Sequence, residues 1–315
     1  MTPPTAAAPD SFLLAADERR MPIGMYGRVR SRELIRVRPG VYAPTAWWRG
    51  LEPHARYVER VKAAALVFPG SAFMRESAAA LHGLPIFGDP AFIHLFDPSR
   101  RSTRTFGDVV VHALTGHREV IRLDGRLVTD LVSTVVDTSR YLTPAYALAV
   151  IDASLRRGMN TTDLHDWSAA DPDRRNERML AWAWEFADGR AESSGESVSR
   201  AVISWLGFPV PVLQQVFSAE GVDDRSDFWW PTYRAIGESD GYGKYRAETA
   251  EEAVRKIVRE KVREDRLRRQ SDGFARWDWR DAHRVTLLEK KLRHAGLPQV
   301  MPRDRAMLAT IRPLR

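Results

Sequence analysis

Residues 226–245 read SDFWWPTYRAIGESDGYGKY, and this stretch decides the fold of the second half of the chain. Two short apolar runs are separated by a proline and lead into acidic residues, which predicts neighbouring strands at 226–230 and 233–236. Asp227 begins the first of these strands, and Glu238 follows the second. The pattern therefore places carboxylates at the ends of adjacent strands.

The sequence on either side of these strands predicts further regular structure. Apolar residues recur either at the spacing of one helix face or with the alternation of a strand. The predicted elements are helices at 193–206, 247–269 and 280–295 and strands at 211–217 and 274–279. The order helix, three-stranded meander, helix and strand predicts an α/β domain. The long helix carries many charges of both signs, which indicates either a solvated face or a helix that reads DNA, and the solvated face is the preferred interpretation.

Carboxylates at neighbouring strand ends suit a divalent cation. Mg²⁺ or Mn²⁺ prefers oxygen ligands, so Asp227 and Glu238 are candidate metal ligands. The metal would polarise a phosphodiester and lower the pKa of an attacking water, while Lys244 stabilises developing charge or orients that water. Glu196, on the preceding predicted helix, would be a further ligand or would support one.

Each of these residues also has a purely structural interpretation. The sequence Ser193-x-x-Glu196 is a capping box, in which Glu196 only binds the backbone amide of the N-cap residue. Asp240 is followed by glycine and would only shape a turn. Asp227 would be a solvated loop residue, and Lys244 an ordinary surface lysine.

Several motifs in this half resemble the PD-(D/E)xK restriction-endonuclease-like fold, in the branch related to very-short-patch repair endonucleases. They are Glu196-Ser197-x-x-Arg200, Asp227-Phe228-x-Trp230, Glu238-x-Asp240-Gly241-x-x-Lys244-Tyr245, Lys261-x-Arg263-Glu264-Asp265-Arg266-Leu267 and Arg276-Trp277-x-Trp279-Arg280-Asp281. The resemblance implies DNA hydrolysis with Mg²⁺ or Mn²⁺. The implied catalytic residues are Asp227, Glu238, Lys244, Glu196 and Asp240. Asp240 stands where the common form of the family has lysine, so Lys244 would take over the role of that lysine.

The N-terminal part of the chain concentrates positive charge. Residues 19–49 contain eight arginines against Glu33 alone. A helix at 25–34, a basic strand at 34–38 and the turn Pro39-Gly40 predict a helix followed by the wing of a winged-helix-like module. The wing would lie on the DNA backbone, or the segment is an edge hairpin with solvated arginines. The candidate nucleic-acid-binding residues are Arg28, Arg30, Arg32, Arg36 and Arg38.

The middle of the chain predicts an α+β domain with no obvious chemistry. His82, His94 and His112 are far apart in the sequence and are interpreted as packing residues. Three segments, 32–44, Ser77-Ala-Ala-Ala-Leu-His-Gly-Leu-Pro85 and Asp152-x-x-Leu155-Arg-Arg-Gly158, resemble the AbiEi antitoxin family. That resemblance implies a DNA-binding antitoxin with a cognate toxin as its partner.

Composition excludes several classes of protein. The 315 residues are 44% hydrophobic and 28% charged, which is typical of a globular protein. The chain has no cysteine, which excludes disulfides and thiolate zinc sites. No apolar run approaches the roughly 18 residues of a membrane span, so we expect no membrane partner and a cytoplasmic location. The net charge of +7 favours a polyanionic partner.

Together these features predict an α+β multidomain protein. The predicted parts are a disordered tail at 1–18, a winged-helix-like basic module at 19–52, an AbiEi-like α+β domain at 53–160, a helical connector at 161–190 and a restriction-endonuclease-like α/β domain at 191–315. The predicted function is DNA binding with Mg-dependent phosphodiester hydrolysis in phage defence or toxin–antitoxin biology. The alternatives are a non-catalytic DNA-binding antitoxin that regulates its own transcription and a module that binds structured RNA.

Overall fold

The structure of the protein is a computed structural model that describes residues 12–15, 23–113, 116–240 and 250–311. The chain divides into two compact units, and each unit is assembled from two separate stretches of sequence. The first unit is Met1–Asp137 with Ala169–Asp173, and the second is Thr138–Ser168 with Arg174–Arg315. Each unit combines helices with sheet, so the predicted mixture of α and β structure is confirmed.

The elements of the first unit form two sheets with helices. In chain order they are β1 (Leu13–Leu14), α1 (Ile23–Arg30), β2 (Leu34–Arg38), β3 (Val41–Pro44), α2 (Thr45–Gly50), α3 (Pro53–Val67), β4 (Ala72–Phe73), α4 (Arg75–Leu81), β5 (Ile93–Phe96), β6 (Arg104–Phe106), β7 (Val109–His112), β8 (Val120–Leu123) and β9 (Arg126–Thr129). Helix α5 (Leu131–Ser139) follows and contains the boundary between the units. The strand orders are β1-β3-β2 and β6-β7-β5-β4-β9-β8.

Helix α1 and the hairpin β2–β3 confirm the predicted helix followed by a basic hairpin. Leu34 and Tyr42 are buried in the hairpin, and Met25 of the helix packs against them. The turn requires glycine, because Gly40 has φ +74° and a Cβ atom there would lie 2.8 Å from the carbonyl oxygen of Ala15. The hairpin is therefore fixed by its own small core and by its turn.

The core of the six-stranded sheet is formed with helices α3 and α4. Tyr57 and Val61 of α3 pack with Phe73, Ile93 and Val128 of the strands, and all five side chains are buried. Strand pairing is mixed, because β4–β9 and β5–β7 are parallel while β4–β5, β6–β7 and β8–β9 are antiparallel. Parallel pairing brings residues together that are distant in the sequence.

The remaining elements contain the strands predicted from residues 226–245. In chain order they are α6 (Pro144–Leu155), α7 (Thr161–Ala170), α8 (Glu177–Phe186), α9 (Ser194–Trp205), β10 (Val212–Ala219), β11 (Val222–Trp230), a 3-10 turn (Pro231–Tyr233), β12 (Ala235–Asp240), α10 (Ala250–Arg269), β13 (Gly273–Asp278), α11 (Trp279–His283), α12 (Val285–His294) and α13 (Arg305–Leu308).

The sheet of the second unit has the order β10-β11-β12-β13. The first three strands are an antiparallel meander, and β13 runs parallel to β12 after the crossover through α10. This confirms the predicted order of helix, meander, helix and strand. Gly237 leaves room for two buried indoles, since a Cβ atom there would lie 2.6 Å from the ring of Trp277 and 3.0 Å from that of Trp230.

The unit boundaries differ from the predicted domain boundaries at 160 and 191. Helix α6 falls within the predicted 53–160 domain but belongs to the second unit. Its Asp152 is buried and accepts hydrogen bonds from the guanidinium of Arg200 on α9, at 2.9 and 3.1 Å. An unpaired buried charge is costly, so this ion pair holds α6 against α9.

Three local predictions are corrected. The predicted disordered tail at 1–18 includes Leu13–Leu14, which pair with β3, while 1–11 and 16–18 lie outside the described residues. The predicted helix at 280–295 is two helices, because Asp278 caps α11 and Arg284 leaves helical geometry. The strands β8 and β9 were not predicted. Within the described ranges, no helix combines the length and apolarity needed to cross a membrane.

Candidate carboxylate site

Strands β11 and β12 bring Asp227 next to Glu238. Phe228 pairs with Gly237 in antiparallel register, so Asp227 and Glu238 are neighbours across the two strands. The N–H of Asp227 donates to Oε1 of Glu238 at 3.4 Å, and the N–H of Ser239 donates to Oδ2 of Asp227 at 2.8 Å. Each carboxylate is therefore positioned by the backbone of the opposite strand.

Burial makes Glu238 difficult to ionise. The residue is 5% exposed. Burial, followed by the charge of Asp227, raises the pKa of Glu238 to about 7, although Arg263 acts in the opposite direction. The charge of Asp227 thus acts on Glu238 in the same direction as burial.

Glu196 lies in the first turn of α9, and its pKa is influenced by the charge of Asp227. Its N–H donates to Oγ of Ser193 at 3.2 Å, and its Oε2 accepts from the N–H of Glu192 at 2.9 Å and from Nε2 of Gln214 at 2.7 Å. Burial and then the charge of Asp227 raise the pKa of Glu196 to about 7. Ser193 therefore caps the helix, but the carboxylate of Glu196 accepts from the N–H of Glu192 and not from that of the N-cap residue, which corrects the predicted capping box. Glu196 also adds a third acid near the site.

Arg263 of α10 contacts the site, and sequence reasoning missed it. Its guanidinium Nη2 donates to Oε2 of Glu238 and, at 3.0 Å, to Oε1 of Glu260. Its Nη1 donates to the carbonyl oxygen of Arg225 at 2.9 Å. In a helix with many charges of both signs, no spacing signal shows which arginine faces the sheet. Gln214 was missed for the same lack of a signal.

Asp240 and Lys244 do not join the pair of acids in the same way. Asp240 is the last residue of β12, and the turn predicted after it falls in residues 241–249, which lie outside the described residues. Its carboxylate accepts from Nε and Nη2 of Arg276 at 2.8 and 2.7 Å. This bidentate pair gives Asp240 a structural partner, and its catalytic role stays a prediction. Lys244 lies outside the described residues.

The fit of a metal ion depends on how many ligands it needs. Among the residues that the structure describes, no group of three or more His, Asp or Glu side chains is arranged to hold a metal ion. Mg²⁺ is usually held by one or two carboxylates, with water and substrate phosphate as the other ligands. Asp227 and Glu238 offer hard oxygen donors of this kind side by side, so their chemistry fits Mg²⁺ or Mn²⁺.

The candidate DNA-binding arginines of the first unit separate into two groups. Arg38 is 8% exposed, and both of its terminal nitrogens donate to the carboxylate of Asp108, at 2.8 and 2.7 Å. Its assignment as a phosphate-binding residue is therefore corrected, because a buried bidentate pair occupies the guanidinium. The other four are exposed: Arg28, Arg30, Arg32 and Arg36.

His94, which is partly buried, and His112, which is buried, form a pair, and this corrects their interpretation as separate packing residues. Their rings stack with centroids 5.1 Å apart, and Nδ1 of His94 lies 2.8 Å from Nε2 of His112. Nε2 of His94 lies 3.4 Å from Oε2 of Glu76. Burial and then the charge of Arg75 lower the pKa of His94 to about 4 and that of His112 to about 3. The parallel pairing of β5 with β7 joins them, and sequence spacing gave no signal of it.

The fold and these side chains define a two-unit α+β protein with a buried carboxylate site in its second unit. The chain is similar to two proteins of Mycobacterium tuberculosis, uncharacterized protein MT2308 of strain CDC 1551 and uncharacterized protein Rv2248 of strain H37Rv. Each is 36% identical over 216 residues, which is 67% of this chain and 75% of the relative. The chain belongs to the family of these mycobacterial proteins. No protein-family model and no solved structure matches it.

Proposed function

We propose that this protein binds DNA and hydrolyses its phosphodiester bonds with a divalent cation held by Asp227 and Glu238. The observation that carries the proposal is the contact between β11 and β12, where each carboxylate accepts a hydrogen bond from the backbone of the other strand. Such fixed geometry is what a two-carboxylate magnesium site requires. The order of elements around it agrees with the resemblance to restriction-endonuclease-like domains.

The residues of the chain divide the work of this reaction. A bound cation would polarise the phosphodiester and lower the pKa of the attacking water. Asp227 and Glu238 would hold the cation, and Glu196 would support Asp227 from the start of α9. The exposed arginines of α1 and the hairpin would bind phosphates of the DNA backbone without reading its sequence. Phage defence or toxin–antitoxin biology is the proposed setting, with a cognate toxin as a further partner.

A plasmid-cleavage assay tests the proposal. Supercoiled DNA is incubated with the protein in Mg²⁺, in Mn²⁺ and in a chelator, and nicked or linear products are measured. Cleavage is expected only with metal, and Asp227→Asn should abolish it. Asp223→Asn is the matched control, because Asp223 is an exposed acid of the same strand that accepts a hydrogen bond from Ser218 at 2.6 Å. Cleavage that survives Asp227→Asn or the chelator would contradict the proposal.

A second candidate function is non-catalytic DNA binding by a transcriptional regulator. It is favoured by two ion pairs, Glu238 with Arg263 and Asp240 with Arg276. These two carboxylates already have a positively charged partner within the chain, so they do not require a metal ion. In this case the protein would retard DNA fragments in a gel, including its own promoter, and would leave plasmid intact with every metal. Binding without cleavage would therefore replace the first proposal with the second.

A further inference from the structure

Arg263 occupies the position of a counter-cation beside Glu238. We propose that this arginine is a built-in competitor of the divalent cation: it holds Glu238 while the site is metal-free and must release Glu238 before the metal binds. The inference rests on the proposed function, since it concerns the same carboxylates. It assigns Arg263 as a positioning residue that sets the affinity of the site for metal.

The contacts of Arg263 allow it to release Glu238 without losing its other partners. One guanidinium nitrogen is shared between Glu238 and Glu260. Nε donates to Oε2 of Glu260 at 3.3 Å, and Nη1 donates to the carbonyl oxygen of Arg225 at 2.9 Å. A guanidinium that turned away from Glu238 would keep the carboxylate of Glu260, which lies one helical turn before it on α10. Glu260 can therefore hold the guanidinium of Arg263 after it has released Glu238.

Charge balance gives the direction of the effect. Glu238 is buried, and Asp227 adds a second negative charge beside it. Buried charges need compensation, and Arg263 supplies it from within the chain. Removal of the guanidinium leaves two adjacent carboxylates with less positive charge near them. The binding free energy of a divalent cation at these carboxylates therefore becomes more favourable. The variant should bind metal more tightly than the natural protein does.

Arg266 provides a matched control on the same helix. Its Nε and Nη2 donate to the carboxylate of Asp224 at 2.6 and 2.7 Å, so it also pairs with a buried acid of β11–β12, three residues further along the helix. Asp224 lies on β11 but does not contact Asp227 or Glu238 in any described hydrogen bond. Loss of Arg266 changes the charge of α10 by the same amount without uncovering the proposed ligands.

The test is a titration of the full-length protein with Mn²⁺, in which free Mn²⁺ is measured by electron paramagnetic resonance. Arg263→Gln should lower the dissociation constant about tenfold or more, because truncation of one partner of a buried charge pair leaves the other uncompensated. Arg266→Gln should leave the dissociation constant unchanged. Circular dichroism checks that each variant is folded. If Arg263→Gln fails to fold, Arg263→Lys replaces it, and about a threefold tightening is expected from its less complete pairing.

The outcomes separate this inference from the proposed function. If the natural protein binds Mn²⁺ and Arg263→Gln binds it equally or more weakly, the competitor role is wrong while the metal site stands. Equal tightening by Arg266→Gln would also overturn the role, since it would show a general charge effect. Binding by Arg263→Gln alone supports the competitor role and refutes metal-dependent cleavage by the natural protein. No binding by either protein overturns both.

Discussion

The histidine pair of the first unit and the carboxylates of the second unit are two buried titratable clusters that respond to burial in opposite directions. Burial lowers the pKa of His94 and His112 and raises the pKa of Glu196 and Glu238. In both clusters burial acts against the charged form. The two histidines form a hydrogen bond with each other. The carboxylates of Asp227 and Glu238 repel each other, and Glu238 forms an ion pair with Arg263. A cluster that needs an outside charge is the better candidate for a functional site.

Acidification should destabilise the first unit, and this is the largest effect expected. The folded pKa values of about 4 and 3 lie below the ordinary value of 6.5, so the unfolded chain binds more protons than the folded chain at pH 5. The contribution of the pair is therefore full above pH 6.5 and is lost as pH falls. Between pH 7 and pH 5 the loss should be roughly 2–4 kcal/mol. Amide hydrogen exchange of β5 and β7 at the two pH values measures it.

A double variant, His94→Gln with His112→Gln, is the control for this pH effect. The variant retains Arg75, whose charge acts on both histidines, and Glu76, which contacts His94. The variant should have a lower free energy of unfolding at pH 7 but a flatter dependence on pH. A slope equal to that of the natural protein would assign the acid sensitivity to other groups.

The stability of the second unit should change in the opposite direction between pH 5 and pH 7. The pKa values of Glu196 and Glu238 are raised from 4.5 to about 7, so the folded form binds more protons between these values. Their stabilising contribution is full below pH 4.5 and is lost as pH rises to 7. Glu238 should account for roughly 1–2 kcal/mol of the stability that is lost between pH 5 and pH 7, and Glu238→Gln should remove that part of the pH dependence. Exchange protection of β11 and β12 reports it. Parallel behaviour of the two units would break the comparison.

The sequence predicted the pairing of the acids but not the cations that accompany them. Strand periodicity and the proline at 231 were enough to place Asp227 beside Glu238, because both act over a few residues. Arg263 reaches Glu238 across 25 residues, and His94 reaches His112 across 18. Such contacts depend on how a crossover helix or a parallel strand is placed. Local spacing contains no record of that placement.

Glu196→Gln separates the hydrogen bonds of this residue at the start of α9 from its proximity to Asp227. The amide keeps an oxygen for the N–H of Glu192, so the loss of helix stability should stay between a few tenths and about 1 kcal/mol. Removal of its charge should also reduce the repulsion on Asp227. Thermal unfolding in the absence of metal measures the sum of both effects. A loss of several kcal/mol would show that these hydrogen bonds dominate.

The contrast between buried and exposed charge recurs within the hairpin, where the smallest effects are expected. Arg38→Ala removes the pair with Asp108 and should cost about 1 kcal/mol of stability, since Asp108 is partly solvated. Arg36→Ala should lower the salt dependence of DNA binding by about one phosphate contact. Fluorescence anisotropy with a labelled duplex at several salt concentrations measures that slope. An effect of Arg38→Ala on the slope equal to that of Arg36→Ala would contradict the assignment.

The return of Ala169–Asp173 to the first unit has an evolutionary consequence. Asp171 in this segment pairs with buried Arg118, which is also bonded to Asp137. Recombination that transferred either unit as one uninterrupted block of coding sequence would separate Asp171 from Arg118 and Asp137. The two units are therefore expected to be inherited together rather than shuffled. The 216 residues shared with the mycobacterial relatives are longer than either unit, as joint inheritance requires.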